Sequence, residues 1–304
     1  MASTSTVFDD DGLRVSVQFG TQRSAVLVVF SGAALLFGGT PQEEFFRSTQ
    51  GLEVTRVFVV DKTISFYSRL AHNQKILAEI QKVLRPLEPA RVVTIGVSAG
   101  GLGAVIFAKL LNAQACIAFS PQFTVHAHRL GGPPIYKPAS LDPVLDVDDA
   151  GAFVFSKCRY SIITGNVGAD IIHASHIGAA ADGFASIQIA DHRVANFVIT
   201  ARGFLPLIES AFAAESPPKR EYVGILRRCL PTAFIDPIAC RQMVRMIKSM
   251  PNLAETWDSL EPQRAAWAVG AINDWLLRDK EAEWKWREQY AKIAAVMLAG
   301  WQFG

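Results

Sequence analysis

Short runs of apolar residues alternate with segments of helical periodicity along the first two thirds of the chain. Most of these runs are continuous, as expected of strands that are buried on both faces of a sheet. The predicted strands are Ala25–Phe30, Val54–Val60, Arg91–Ile95, Ala115–Phe119, Tyr160–Thr164 and Ala185–Ile189, preceded by a weakly alternating segment at Val15–Phe19. Leu70–Leu84 and Leu102–Leu111 are predicted helices. This alternation predicts an α/β fold with a mostly parallel sheet flanked by helices.

The composition favours a small-molecule ligand over a nucleic acid. Half of the 304 residues are apolar and 19% are charged, with 30 basic and 28 acidic residues and a net charge of +2. Nucleic-acid binding requires clustered lysine and arginine, and the sequence contains no basic block. The longest apolar run is interrupted by Ser31, Gly32 and Gly38, so no membrane span is predicted. The first residues lack a basic and apolar signal segment, and we therefore expect a cytoplasmic protein.

The chain divides into two segments of different character. Strand signals end after Phe212, a Pro-containing linker follows, and residues 217–304 have helical periodicity. This segment holds all six tryptophans, Trp257, Trp267, Trp275, Trp284, Trp286 and Trp301. We expect a sheet domain at 1–212, with a possible cap insertion at 121–159, and a helical extension at 217–304. The extension is interpreted first as a structural buttress and second as a surface for a protein partner or for self-association.

Four cysteines are present, Cys116, Cys158, Cys229 and Cys240, without the spacing of a zinc site. Two of them lie inside apolar segments. We therefore expect buried thiols rather than disulfides, and no metal or cofactor is implied.

A Gly-x-Ser-x-Gly motif joins the Arg91–Ile95 strand to the helix that follows it. The motif consists of Gly96, Ser98 and Gly100. A nucleophilic serine at such a turn has a strained backbone, and the flanking glycines let the strand and the helix approach closely. The helix N-terminus would then favour a developing oxyanion, with the amide of Ala99 as the first donor.

Two other interpretations of this loop fail on its residues. In a dinucleotide-binding loop, the second glycine of the Gly-x-Gly motif would stand where the chain has Ser98. A phosphate-binding P-loop would need a Gly-Lys-Ser/Thr sequence, which does not follow.

A serine nucleophile requires a base and an orienting acid. Of the six histidines, His192 follows the last predicted strand and is our candidate base. Asp170 follows the Tyr160–Thr164 strand and is the candidate acid, with Asp182 and Asp191 as alternatives.

The order of serine, acid and histidine resembles the α/β-hydrolase superfamily, over roughly Val15–Phe212. The resemblance implies a second oxyanion donor in the loop after the Ala25–Phe30 strand, and we assign it to Ala33. The usual His-Gly of that loop is replaced by Ser31-Gly32, which affects the choice of donor more than the fold. Residues 61–67 are similar to a segment of some bacterial hydrolases of this superfamily that are associated with surface polysaccharides, which suggests an acylated saccharide as substrate.

The resemblance and the motif together predict a serine esterase-type hydrolase of class EC 3.1. Ser98 would attack an ester or thioester, His192 would transfer the proton, Asp170 would orient the imidazole, and Ala99 and Ala33 would hold the oxyanion. Two alternatives remain open. The same residues would serve an acyltransferase, or the domain could be a hydrolase-like scaffold whose helical extension binds a protein partner.

Overall fold

A single mixed sheet organises the described part of the protein. The computed structural model describes residues 4–33, 42–121, 150–165, 184–187 and 194–213 together with Ile225, and for 184–187 it describes the backbone alone. The strands are β1 (Ser5–Asp9), β2 (Leu13–Gln18), β3 (Gln22–Phe30), β4 (Val54–Asp61), β5 (Arg91–Val97), β6 (Ala115–Phe119), β7 (Arg159–Gly165) and β8 (Phe184–Ile187). The helices are α1 (Leu70–Leu84), α2 (Ala99–Leu110), α3 (Val194–Thr200) and α4 (Phe204–Phe212), and a 3-10 turn spans Ala150–Phe153.

The eight strands are arranged in the order β1-β2-β4-β3-β5-β6-β7-β8. The strands from β3 onward pair in parallel, whereas β2 runs antiparallel to both β1 and β4. In the register of the sheet, Phe30 lies opposite Val59 on one side and Gly96 on the other. The carboxyl ends of β3, β4 and β5 therefore lie next to one another at the same edge of the sheet.

The hydrophobic core lies on both faces of the sheet, which explains the continuous apolar runs of its central strands. In β3, Val26, Val28 and Phe30 face the cluster that α1 and α2 cover. Leu27 and Val29 face the cluster that α3 and α4 cover. This mostly parallel sheet between two helical layers, with a serine turn between β5 and α2, is an α/β-hydrolase-like fold.

The structure confirms the predicted strands and both predicted helices, with small differences at their ends. β4, β5 and β7 are each longer than predicted, and α2 begins at Ala99 rather than Leu102. β1 was not predicted because it is an edge strand whose residues are largely exposed, so it has no apolar pattern. After β8 the chain forms α3 and α4, which are separated by a turn in which Arg202 has φ 59°.

Several predictions fall outside the described residues. These are most of the possible cap at 121–159, the linker, and nearly all of the helical extension at 217–304. Cys116 and Cys158 are free and buried, whereas Cys229 and Cys240 are not described. None of the helices in the described ranges combines the length and apolarity that crossing a membrane requires.

Candidate active site

The strand order predicts a crevice between the carboxyl ends of β3 and β5. The chain leaves β3 to form β4 on one side, and it leaves β5 to form β6 on the other side. In open α/β sheets, ligands bind outside the carboxyl ends of the strands where the connections diverge in this way. The loop that follows β3 and the turn that contains Ser98 both begin at this crevice.

Ser98 lies at a sharp turn between β5 and α2. Its backbone has φ 56° and ψ −122°, a conformation that an L-residue rarely adopts. The turn is held by a hydrogen bond from the Ser98 amide to the Phe119 carbonyl at 2.9 Å, and by one from the Leu102 amide to the Ser98 carbonyl at 3.2 Å. Ser98 is half-buried. This geometry is the one expected of a nucleophile elbow.

The two glycines of the motif are required by close backbone contacts. A Cβ atom at Gly96 would overlap the backbone of Gly100, and a Cβ atom at Gly100 would overlap the Phe30 carbonyl oxygen. Both sites therefore exclude a side chain, as the motif predicted. The contact at Gly100 also brings the first turn of α2 against the end of β3.

The elbow and the loop after β3 lie against each other. A Cβ atom at Gly32 would be 3.3 Å from the Val97 carbonyl oxygen, so the loop passes directly beside the residue that precedes Ser98. Ala99 is buried at the N-terminus of α2, where backbone amides have no partners within the helix. Ala33 is half-buried and packs against the core on the α2 face. The predicted oxyanion donors thus belong to two segments that meet at one crevice.

Glu44 lies beside the same loop. Its Oε2 accepts a hydrogen bond from the Gly32 amide at 3.4 Å. Burial raises the pKa of this carboxyl, and the Gly32 amide opposes the rise. Because Glu44 engages the amide of Gly32, the amide of Ala33 is the better candidate for a second oxyanion donor.

A buried carboxylate, Asp61, ends β4 and orders the turn that follows. Its Oδ1 accepts hydrogen bonds from the Thr63 amide at 3.0 Å, from the Thr63 hydroxyl at 2.7 Å and from His72 Nε2 at 3.2 Å. Its Oδ2 accepts hydrogen bonds from the amide and the hydroxyl of Ser65 at 2.7 and 2.6 Å. Burial alone would raise the pKa of Asp61, but the hydrogen bonds from His72, Ser65 and Thr63 together hold it below the ordinary value.

The Asp61 turn is connected to the loop after β3 through Ser31. The Asp61 amide donates to Ser31 Oγ at 3.2 Å. The Tyr67 hydroxyl lies 3.3 Å from Ser31 Oγ and donates to the Ser31 carbonyl at 3.0 Å. All three residues are almost fully buried. In the sequence, residues 61–67 are distinguished only by a family resemblance. Their sequence pattern does not predict the contact with Ser31.

Among the predicted site residues, the structure describes Ser98, Ala99 and Ala33 and brings their segments together at one edge of the sheet. His192 and Asp170 lie outside the described residues, as do the alternative acids Asp182 and Asp191. Their assignments remain predictions. The described ranges contain no group of three or more histidine, cysteine, aspartate and glutamate side chains that could hold a metal ion.

No protein-family model matches the chain, and no curated protein matches it. Three solved structures illustrate what the chain is similar to. A mutant capsule O-acetyltransferase of Neisseria meningitidis serogroup A, in complex with CoA, is 12% identical over 63% of this chain and 93% of that chain, with a TM-score of 0.48. A proline iminopeptidase-related protein from Thermus thermophilus is 11% identical over 76% of this chain and 99% of that chain, with a TM-score of 0.44. An alpha-beta serine hydrolase homologue from Coxiella burnetii is 12% identical over 54% of this chain and 74% of that chain, with a TM-score of 0.36.

Proposed function

We propose that the protein is a serine hydrolase that cleaves an ester or a thioester through an acyl-enzyme on Ser98. The observation that carries this proposal is the backbone conformation of Ser98 at the turn between β5 and α2, with φ 56° and ψ −122°. In a nucleophile elbow, a strained strand-to-helix turn of this kind exposes the serine Oγ. A structural serine at a helix start has no need of it, since an ordinary N-cap residue adopts an extended backbone.

In the first half-reaction, Ser98 Oγ forms a bond to the acyl carbon while His192 accepts the hydroxyl proton. The carbonyl oxygen becomes an oxyanion, to which the amides of Ala99 and Ala33 donate hydrogen bonds. When the intermediate collapses, the bond to the leaving oxygen or sulfur breaks and His192 delivers the proton to that atom. Asp170 orients the imidazole and stabilises its protonated form.

In the second half-reaction, the acyl group leaves Ser98 for a second nucleophile. With water, His192 accepts a proton as the water oxygen attacks the acyl carbon, and Ser98 Oγ regains a proton when the ester bond to the enzyme breaks. With an alcohol, the same steps transfer the acyl group to that alcohol. Acylated saccharides are the first substrate class to screen, together with short-chain esters and thioesters.

A fluorophosphonate probe tests the nucleophile directly. We expect stoichiometric labelling of the wild-type protein on Ser98 and complete loss of labelling and esterase activity in Ser98→Ala. Ser210→Ala is the matched control, because the Ser210 hydroxyl donates to the Leu207 carbonyl within its own helix, α4. Labelling of Ser98→Ala at the wild-type rate would exclude Ser98 as the nucleophile.

The base and the acid are tested by substitution in the same assay. His192→Ala should lower kcat by at least about 10³-fold, and replacement of the true acid by asparagine should lower kcat by about 10⁴-fold with little change in KM. Asp170→Asn, Asp182→Asn and Asp191→Asn are compared side by side. A loss confined to Asp182→Asn or Asp191→Asn would reassign the acid. Addition of an acceptor alcohol to the wild-type reaction separates hydrolysis from acyl transfer, because only a transferase forms the new ester in preference to the free acid.

A further inference from the structure

The turn after β4 has an unusual backbone. Ile64, Phe66 and Tyr67 have φ values of 52°, 56° and 54°, in the left-handed region that non-glycine residues rarely occupy. Asp61 holds this turn through its hydrogen bonds to Thr63 and Ser65. Strain of this kind persists only where surrounding contacts over-determine the conformation, and it is concentrated at functional sites. The result of the strained turn is that Tyr67 enters the core.

The Tyr67 side chain touches two separate elements of the candidate active site. Its hydroxyl lies 3.3 Å from Ser31 Oγ and donates to the Ser31 carbonyl at 3.0 Å, two residues before Ala33. Its ring packs against α2 at Gly103, where a Cβ atom would come within 2.8 Å of the ring. The absence of a side chain at Gly103 therefore leaves room for the ring of Tyr67.

The hydroxyl of Tyr67 lies within hydrogen-bonding distance of Ser31 Oγ, of the Ser31 carbonyl and, at 3.5 Å, of the Val59 carbonyl. The Asp61 amide donates to Ser31 Oγ at 3.2 Å, which leaves the Ser31 hydroxyl proton available for the Tyr67 oxygen. Tyr67 in turn donates to the Ser31 carbonyl. Burial, followed by the nearby Asp61 charge, raises the pKa of Tyr67 well above its ordinary value, so the phenol keeps its proton and remains a donor at neutral pH.

We propose that Tyr67 is a positioning residue that sets the distance between the two oxyanion donors. One donor, Ala33, belongs to the loop that the hydroxyl of Tyr67 holds through Ser31. The other donor, Ala99, belongs to the helix against which the ring of Tyr67 packs. This inference rests on the proposed function of Ser98. A buried phenylalanine would fill the same volume, so the hydroxyl is explained by its hydrogen bonds, of which the two shorter ones are to Ser31, rather than by packing.

Tyr67→Phe tests the proposal because it removes the hydroxyl and keeps the ring. We expect kcat on an ester to fall by about 10- to 100-fold with KM changed less than about twofold, because misplacement of a donor weakens binding of the transition state more than binding of the substrate. The affinity for a boronate that mimics the tetrahedral intermediate should fall by the same factor as kcat/KM. A purely structural role would not produce this proportionality.

Tyr160→Phe is the matched control. Tyr160 is also buried, and its hydroxyl lies 3.4 Å from the Phe153 carbonyl near the start of β7, away from the carboxyl edge of the sheet. We expect a similar small change in Tm and unchanged kcat. Equal kinetics in Tyr67→Phe, Tyr160→Phe and the wild type would overturn the proposal, provided that the wild type is active and is labelled at Ser98. An inactive and unlabelled wild type would instead contradict the proposed function itself.

A second variant keeps the proposal testable if Tyr67→Phe folds poorly. Ser31→Ala removes one partner of the phenol and leaves the ring of Tyr67 in place. We expect a loss of kcat in the same direction, and a smaller additional loss when both substitutions are combined, because the two hydroxyls act through the same contact. Additive losses in the double variant would show that the two residues act independently and would contradict the proposal.

Discussion

At the scale of single residues, strain in the described backbone is concentrated at the carboxyl edge of the sheet. Within the described ranges, nine non-glycine residues have positive φ, and five of them follow β4, β5 or β6: Ile64, Phe66, Tyr67, Ser98 and Ser120. Each such residue costs about 1–3 kcal/mol of folding free energy, so the contacts around these residues must supply more stabilisation than their combined strain. Of these five residues, Ser98 was predictable because a short motif accompanies its strain. The turn that contains Tyr67 was not, because its partners are distant in sequence.

Asp61→Asn tests how strongly one carboxylate supports this edge. An asparagine cannot accept all of the hydrogen bonds that Asp61 receives from Thr63, Ser65 and His72, so we expect the free energy of unfolding to fall by about 3 kcal/mol at neutral pH. Because the pKa of Asp61 is lowered in the folded protein, its contribution to stability is present above the unfolded pKa of about 3.9 and is lost as the pH falls through the folded value.

Urea denaturation of the wild type and of Asp61→Asn between pH 3 and pH 8 measures this difference. Asp9→Asn is a suitable control, because Asp9 is 45% exposed in its ion pair with Lys62 and should contribute less than about 1 kcal/mol. A difference between the wild type and Asp61→Asn that stays constant down to the lowest pH would contradict the assignment of a lowered pKa.

At the scale of elements, the strands were predictable because their two buried faces impose a continuous apolar pattern. β6 begins and ends at the predicted residues, Ala115 and Phe119, and α1 matches its predicted range. The features that escaped prediction depend on contacts rather than on pattern. α2 begins three residues earlier than its apolar periodicity indicates. Its first turn consists of residues with small or no side chains, and it packs against the end of β3 at Gly100.

Gly103→Ala tests the packing of α2 against the turn after β4. Alanine is favoured over glycine within a helix by about 1 kcal/mol. Here its Cβ atom would lie 2.8 Å from the ring of Tyr67, which is buried and held by hydrogen bonds to Ser31. We therefore expect a net loss of about 1–3 kcal/mol in the free energy of unfolding.

Chemical denaturation of Gly103→Ala and of Gly51→Ala provides the comparison. A Cβ atom at Gly51 would make only an ordinary contact, 3.8 Å from Leu205 Cδ1, and should change stability by less than about 0.5 kcal/mol. An increase in stability for Gly103→Ala would mean that the ring of Tyr67 moves easily, which would weaken its role as a positioning residue.

At the scale of the whole molecule, the last described helix, α4 (Phe204–Phe212), is anchored to the sheet. The Arg91 guanidinium donates to the Phe212 carbonyl, and Arg159 donates to the Ala211 carbonyl at 2.9 Å. These contacts tie the last turn of α4 to the amino-terminal ends of β5 and β7. The domain boundary at residue 212 stays a prediction.

Deletion of residues 217–304 tests the role of the predicted extension. Ile225, which lies beyond the linker, is helical and 5% exposed. We expect the truncated chain to have a lower Tm and reduced yield, because a buried isoleucine contributes about 2 kcal/mol or more. Differential scanning calorimetry and activity on a small ester measure the outcome. A truncated protein with unchanged Tm and full activity would show that the extension serves another purpose, and binding of a partner would become the better explanation.

The divergence of the chain on either side of the β3–β5 crevice has a consequence for how such a protein can change. The connections that leave β3 and β5 run to opposite halves of the sheet, so a change of length or composition in one does not require a change in the other. The turn at Ser98 is a junction between a strand and a helix that close backbone contacts hold, whereas loops more generally tolerate changes of length and sequence. If Ser98 is the nucleophile proposed above, new substrate preferences can arise by exchange of the outer part of one connection at a time, with Ser98 left in place.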